Sequence, residues 1–357
     1  MVTMREVAQA AGVSTMTVSN VLTGRRHVSP QTRQRVLDVV VRTGYQVNVA
    51  ARSLRRGRTG IIGLGVPELD SHYFGMLGAR LVARLAREGL RVVVEQTGAD
   101  REGELEAIAD SRVNAYDGLI LSASGLGSAD VAALAGDLPV VMLGERQDMH
   151  RFDHVEMSNT AGAEAAARLL LERGCEHLAV IGTPPLERSD DDGGHQDDAF
   201  RLRAAGVRRA LAEFPGATAL AVQERTNHLS TGAALAAEAL RRQPRTDGLL
   251  CATDTLALGA LRGLADLGVH VPDDVLVIGF DDVPAAAYSV PSLSSVSPGH
   301  DAMVEATVRL LLRRMRDPSA TPEHFVGPWA VVERESTRRG SRPRARRSVG
   351  APAPQRS

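Results

Sequence analysis

Residues 3–22, TMREVAQAAGVSTMTVSNVL, decide how this chain reads, because they set two short helices around one tight turn. Thr3 and Glu6 have the T-x-x-E spacing of a capping box. Hydroxyl and carboxylate each satisfy an amide that has no partner inside the helix. Helix 1 therefore starts at Thr3, and Val7 with Ala8 and its neighbours up to Ala11 supplies a small apolar face. Gly12 has no Cβ, so it can take the left-handed conformation of a sharp turn. Ser14 is placed to cap helix 2, with Val13 and Val18 spaced as a hydrophobic staple. Val18, Val21 and Leu22 recur at i, i+3, i+4 and set one buried face. That phase leaves Thr15, Met16, Thr17, Ser19 and Asn20 pointing outward, as on the recognition helix of a helix-turn-helix. A helical hairpin capping a larger domain has the same twenty-residue pattern.

The next stretch decides between the two. Ser29 and Pro30 are an N-cap followed by proline at the first helical position, where a missing N–H costs no bond. The third helix is predicted to run to Thr43, with Val36, Leu37, Val40 and Val41 as its apolar stripe and Gly44 as its stop. Asn48 is read as the cap of a short fourth helix, VAARSLRRG, ending at Gly57. Residues 1–60 hold ten Arg against Glu6 and Asp38, a net of +8, and residues 334–357 hold eight Arg against one Glu, a net of +7. With a total of −1, residues 61–333 carry the remaining −16. Basic ends around an acidic body fit an N-terminal DNA-binding head.

Within and beyond this head lie A-x-x-A-G-V-S-x-x-T-V-S-x-V-L from Ala8, R-H-V-S-P-x-T-R-x-R-V from Arg26, G-Y, N-x-A-A-R-S-L from Asn48 and R-T-G-x-I-G-L from Arg58. VIGFDD (277–282), PSLSSV (291–296) and RES (334–336) follow. Together they closely resemble the lactose-repressor (LacI/GalR-type) family of bacterial transcriptional regulators. The N-terminal motifs are highly specific, and the later ones are weak alone. The resemblance implies an all-α helix-turn-helix head and a two-lobed, periplasmic-binding-protein-like α/β body of doubly wound parallel sheets. It also implies a hinge helix over 48–56 that orders on operator DNA, where Leu54 wedges into the minor groove and kinks the duplex. Ala50 and Ala51 are small enough for two such helices, one per subunit, to approach closely. The partners so implied are double-stranded DNA with a near-palindromic operator, a second copy of the chain (a dimer or a higher assembly) and a small-molecule effector, in the first place a sugar.

On this reading residues 1–47 are the helix-turn-helix domain, 48–60 the hinge helix and linker, 61–337 the effector-binding and dimerisation body, and 338–357 a disordered basic tail. Lobe 1 is expected over about 61–157 and 291–318, and lobe 2 over about 158–290 and 319–337. In the body, apolar runs at 61–66, 91–95, 118–122, 140–143, 178–182, 219–222, 248–252 and 275–280 alternate with amphipathic helices of 12 to 17 residues. Buried strands alternating with helices indicate βαβ units and parallel sheets. DGLILSAS at 117–124 and DGLLCATD at 247–254 occupy like positions in two halves.

Ligands of such sheets bind outside the carboxyl ends of the strands. Tyr73 and Phe74 follow the first strand, Arg201 and Arg203 follow the fifth, and later strands end at Thr253-Asp254 and Asp281-Asp282. Aromatic faces, a forked guanidinium and carboxylates suit a polyhydroxylated ligand, a sugar or a nucleoside. The family resemblance places effector contacts on Arg203, Asp281, Tyr73 and Phe74, with Asn227 and Asp254 beside them. Four departures bear on which effector and operator are recognised. The family often has Asn-Asp at Thr253-Asp254, Asp-Asn at Ser158-Asn159 and Arg at Asn20, and some sugar-responsive members have an aromatic at Asn227.

On the DNA side, Thr15 and Met16 are expected to reach base edges with Thr17, Ser19 and Asn20 beside them. Met16 offers only apolar contact, for instance with a thymine methyl, and Asn20 has the donor and acceptor for adenine. Ser14, Thr32, Arg33, Arg25, Arg26 and His27 suit phosphates, which position without specifying, and Asn48 and Ala51 belong to the hinge contact.

Other functions are poorly supported. GIIGLG at 60–65 lacks G-x-G-x-x-G order, and no Walker sequence, nucleophile elbow or nucleophile–base set occurs, so neither catalysis nor a cofactor is expected. A nucleoside or other non-sugar effector stays open, as does a sugar-binding protein with a different role, although that role calls for a signal peptide in place of a basic head. Asp190 to Asp192 with His195 have no defined Ca²⁺ or Zn²⁺ spacing and read as a solvated loop. Cys175 and Cys251 are too few for a disulfide framework. With no run of 18 apolar residues and no leader, the chain is expected in the cytoplasm, on the nucleoid and not in a membrane.

Overall fold

The computed structural model describes residues 2–24, 28–45, 58–144, 151–186, 198–224 and 226–339. They fall into two units, Met1–Gly60 and Ile61–Ser357, each taken by itself.

The first unit holds α1 (Met4–Ala11), α2 (Thr15–Thr23) and α3 (Pro30–Thr43). Its boundaries are set locally. Thr3 Oγ1 accepts from the Glu6 amide at 3.3 Å while the Thr3 amide donates to the Glu6 carboxylate at 2.7 Å. Gly12 turns the chain at φ 62°, and Ser14 Oγ accepts from the Thr17 amide at 3.1 Å. Ser29 does the same for Thr32 at 3.2 Å, and Pro30 opens α3. Val7, Ala8, Ala11, Val18, Val21, Val36 and Val39 form one core, with Val13, Leu22 and Tyr45 packed around it. The stripe of α3 is therefore Val36, Val39 and Val40, not the predicted Val36, Leu37, Val40 and Val41. Leu37 is exposed and Val41 is 83% exposed. The i, i+3, i+4 spacing was available in both phases, and contact with α1 and α2 selects one of them.

The second unit is built on two six-stranded sheets. The first has the order β11-β5-β4-β3-β1-β2 and the second β12-β10-β9-β8-β6-β7, in chain numbering. Its elements are β1 (Ile61–Val66), α4 (His72–Arg87), β2 (Arg91–Gln96), α5 (Arg101–Val113), β3 (Gly118–Ser122), α6 (Ser128–Ala135), β4 (Val140–Leu143), β5 (Asp153–Glu156) and α7 (Asn159–Glu172). The second half continues with β6 (His177–Ile181), α8 (Asp198–Ala212), β7 (Thr218–Val222), α9 (Leu229–Arg242), β8 (Gly248–Cys251), α10 (Asp254–Asp266) and β9 (Leu276–Phe280). It ends with β10 (Ser294–Ser297), α11 (His300–Arg316), β11 (His324–Val326) and β12 (Ala330–Val332). All neighbours run parallel except β12, which is antiparallel to β10. The eight strands read from the sequence are present to within a residue at each end, whereas β5, β10, β11 and β12 were not foreseen.

The late strands correct the expected lobe boundaries. β10 pairs with β9, Ser294 opposite Ile278, so residues 291–297 belong with lobe 2 and not lobe 1. Helix α11 packs on β3, β4, β5 and α4, and β11 pairs with β5, so residues 319–326 belong with lobe 1 and not lobe 2. The chain thus crosses between the lobes at 157–158, at 298–299 and again at 327–329.

In lobe 2, α7 and α8 pack closely because Gly206 faces the neighbouring backbone. A Cβ there would lie 2.2 Å from the Thr160 carbonyl oxygen and 2.8 Å from the Glu164 nitrogen. Gly206→Ala must push two helices apart, and overpacking of this kind costs about 1–3 kcal/mol. A urea midpoint lowered accordingly is the expected result, and an unchanged midpoint would show that the helices separate freely. No helix among the described residues is long and apolar enough to cross a membrane.

Candidate DNA-reading surface and effector cleft

On the head, α2 turns its valines inward and leaves a small polar outer face. Thr15 is exposed, Met16 is 66% exposed, and Thr17, Ser19 and Asn20 are half-buried. The hydroxyls of Ser14 and Thr17 lie 2.9 Å apart, and Ser29 Oγ donates to Thr32 Oγ1 at 2.8 Å. Ser14 and Thr32 therefore act first as helix-end residues, and Arg33 beside them is exposed. Arg25, Arg26 and His27, and the hinge positions Asn48, Ala50, Ala51 and Leu54, lie outside the described residues. So do Asp190 to Asp192 and His195 of the acidic loop.

In the body, the carboxyl ends of strands from both sheets open on one cleft with a cavity of about 240 Å³. Tyr73, Phe74, Arg203, Asn227 and Asp281 all line it, so the structure brings five of the six candidate effector residues together. The Tyr73 and Phe74 rings meet edge to face with centroids 5.0 Å apart. Arg203 is 4% exposed and held on every side. Its Nε donates to Asn159 Oδ1 at 2.7 Å, one terminal nitrogen donates to the Ala252 carbonyl, and the other lies 3.6 Å from Asp281 Oδ1. The guanidinium carbon sits 3.7 Å above the centre of the Phe280 ring. The nitrogen beside Asp281 also donates to Met157 Sδ at 3.4 Å, and the one bonded to Ala252 carries a second hydrogen beyond that bond.

Asp281 is presented by a fixed backbone. Its φ of 109° is unusual outside glycine, yet its amide donates to the Val296 carbonyl at 2.9 Å and its own carbonyl accepts from His300 Nε2 at 2.6 Å. Such strain persists only where the surroundings over-determine it. Burial holds the His300 imidazole below its ordinary pKa, which suits that neutral, donating ring. Asn227 Oδ1 accepts from Thr253 Oγ1 at 2.6 Å, joining two polar lining residues. The cleft therefore offers a carboxylate, a guanidinium, an amide and aromatic faces around a small volume, a donor and acceptor set for vicinal hydroxyls on an apolar ring.

Asp254 does not join them. It is wholly buried behind the cleft wall, where its carboxylate accepts from the Val283 amide at 2.8 Å and Ser295 Oγ at 2.6 Å. Burial, and then the neighbouring Asp281 charge, raise its pKa well above the ordinary range. A carboxyl whose folded-state pKa is raised stabilises the fold fully below its unfolded pKa, and that contribution is lost as pH rises through the folded value. Asp254→Asn keeps the shape and an acceptor for Val283, so it should flatten the decline in thermal stability from acid toward neutral pH. An unchanged pH profile would remove Asp254 as its source. The same burial pushes the Cys251 thiol upward, as fits a core residue.

Sequence reasoning missed Asn159, Phe280 and Met157, which hold or line the Arg203 site. Phe280 had a signal, since it stands inside VIGFDD. Asn159 had a weaker one, as the second residue of the Ser158-Asn159 pair.

Comparison with known proteins agrees with both halves. Residues 3–48 match the profile of bacterial regulatory proteins of the lacI family, and residues 167–337 that of the periplasmic binding protein-like domain. A ribose operon repressor from Halalkalibacterium halodurans is 29% identical over 340 residues, covering 95% of this chain and 98% of the relative. A LacI-family regulator structure from Sanguibacter keddieii is 38% identical, with a TM-score of 0.69, over 79% of this chain and 99% of its own. The lac repressor dimer bound to operator and the anti-inducer ONPF is 25% identical, with a TM-score of 0.76, over 94% and 99%. With a capped helix-turn-helix at one end and a two-sheet cleft in the body, the chain belongs to the LacI family of bacterial transcriptional regulators.

Proposed function

We propose that this chain is a dimeric transcriptional repressor whose operator affinity is altered by a small sugar-like effector bound between the lobes. The observation that carries the effector half is the Arg203–Asp281 pair. Two opposite charges, each side chain 5% exposed, stand fixed in a cleft ringed by Tyr73, Phe74 and Phe200. A site held this rigidly before binding saves its ligand the entropy of ordering it. Relatives that include a ribose operon repressor support a sugar as the class. The reading makes the protein a binder and not an enzyme, acting in the cytoplasm where its DNA lies.

The switch works by population shift: an effector that prefers one lobe arrangement draws the protein toward it. The test is operator affinity by fluorescence anisotropy, with a palindrome from the chain's own upstream DNA and a panel of monosaccharides and nucleosides. A coupling of about 1–3 kcal/mol predicts a change of ~5- to 150-fold for the right effector. A nucleoside as the active compound would overturn the sugar class, and one affinity throughout would leave a DNA-binding protein without this effector switch.

A further inference from the structure

We propose that His154, Glu156 and His324 form a binding site for a divalent transition-metal ion of the zinc class where the lobe-crossing segments leave lobe 1. One ligand atom from each of the three lies within 4.8 Å of the others. The strands explain the grouping. β5 and β11 pair in parallel, His324 opposite His154 and Val326 opposite Glu156. Alternate residues of a strand share a face, so 154, 156 and 324 lie on one side of the sheet edge.

The side chains are arranged as metal ligands are. The imidazoles are stacked, with centroids 5.0 Å apart and planes 10° from parallel, and His324 Nε2 lies 3.1 Å from Glu156 Oε1. His154 Nε2 donates to the Gly144 carbonyl, which fixes the tautomer whose lone pair is on Nδ1. A ring N–H given to a backbone carbonyl is the usual support of a metal-bound histidine. Two neutral imidazoles and one carboxylate are a donor set suited to zinc, with a fourth position left for water. His324 is 53% exposed, which gives an ion a way in.

The position gives the site a consequence. Directly after Glu156, Met157 lines the cleft, Ser158 Oγ donates to the Gly327 carbonyl at 2.7 Å, and the Gly327 amide donates to the Glu156 carbonyl at 2.8 Å. An ion bridging β5 and β11 ties together the lobe-1 ends of two crossing segments. Gly144, the partner of His154, also lines the cleft.

The test uses the full-length chain, freed of metal with a chelator and titrated with Zn²⁺ by calorimetry and with Co²⁺ by visible absorption. One ion per chain is expected, with the intensified d–d bands of low-symmetry cobalt. His324→Ala and Glu156→Gln, both at solvent-reachable positions, should each weaken binding by more than about tenfold and dim those bands. Thermal melts in chelator should match the parent chain, which separates ligand loss from misfolding. Equal zinc binding by all three proteins, or a parent cobalt spectrum no different from the hydrated ion, overturns the site.

Discussion

Asp281→Asn is expected to weaken effector binding by about a hundredfold while leaving operator binding by the ligand-free protein unchanged. Asn is the informative replacement. It preserves the shape, and among non-glycine residues it is one of the few that tolerate a positive φ such as the 109° found here. Alanine would mix lost chemistry with backbone strain. The carboxylate is a charged acceptor for hydroxyls, and a hydrogen bond to a charged group contributes about 1.5–3 kcal/mol. A loss near 3 kcal/mol corresponds to about a hundredfold. Arg203 keeps Asn159, the Ala252 carbonyl and the Phe280 face, so the cleft stays formed. Effector affinity by calorimetry and operator affinity by anisotropy separate the two arms. A normal effector response would remove Asp281 from the site.

The larger change is in ionic strength. Raising salt from 50 to 200 mM is expected to lower operator affinity by about 10³- to 10⁵-fold if the dimer makes ~6–10 phosphate contacts. The chain as a whole carries −1, so the effect comes from its basic ends, first of all the +8 concentrated in residues 1–60. At 0.1 M salt, charges beyond about 10 Å are largely screened, and the body's −16 contributes little at the phosphates. A plot of log affinity against log salt should be steep and linear. A flat one would argue that the basic head is not a nucleic-acid surface.

How much of this was legible in the residues depended on how far apart the deciding groups stand. Thr3 with Glu6, Ser14 with Thr17, and Ser29 with Pro30 act over three residues or fewer, and each cap was read correctly. Long apolar runs such as GLILS announced buried parallel strands. The strands that escaped are short, and all but AVV are partly polar: DHVE, SSVS, HFV and AVV exist because distant partners are there to pair with. Their absence from the reading displaced the lobe boundaries. In the cleft, the strand-end rule picked out the segments that hold Arg203, Asp281, Tyr73 and Phe74, the family resemblance picked the residues within them, and all four line the cavity. The rule cannot tell which of two adjacent residues faces the ligand, so Asp254 was chosen where Thr253 lines the cavity. The RES motif has a structural use that sequence did not reveal. Arg334 donates to Asp282 at 2.7 Å, and Ser336 Oγ donates to the Val277 carbonyl at 2.6 Å, which fastens the turn at Glu335–Thr337 to lobe 2.

The triple crossing between lobes also governs the order in which the molecule can be completed during synthesis. Lobe 1 has five of its six strands once residue 156 has emerged from the ribosome, yet its remaining strand and the helix covering β3, β4 and β5 come from residues 300–326. Lobe 2 waits for residues 330–332 in the same way. From residue 156 until residue 324 has emerged, β5 therefore exposes the side that β11 will occupy, and β10 waits more briefly for β12. The helix-turn-helix, by contrast, has its whole core within the first 45 residues. A nascent chain is thus ready to meet DNA long before it is able to close around a ligand, and loss of residues 324–357 would leave two lobes that both lack an edge strand.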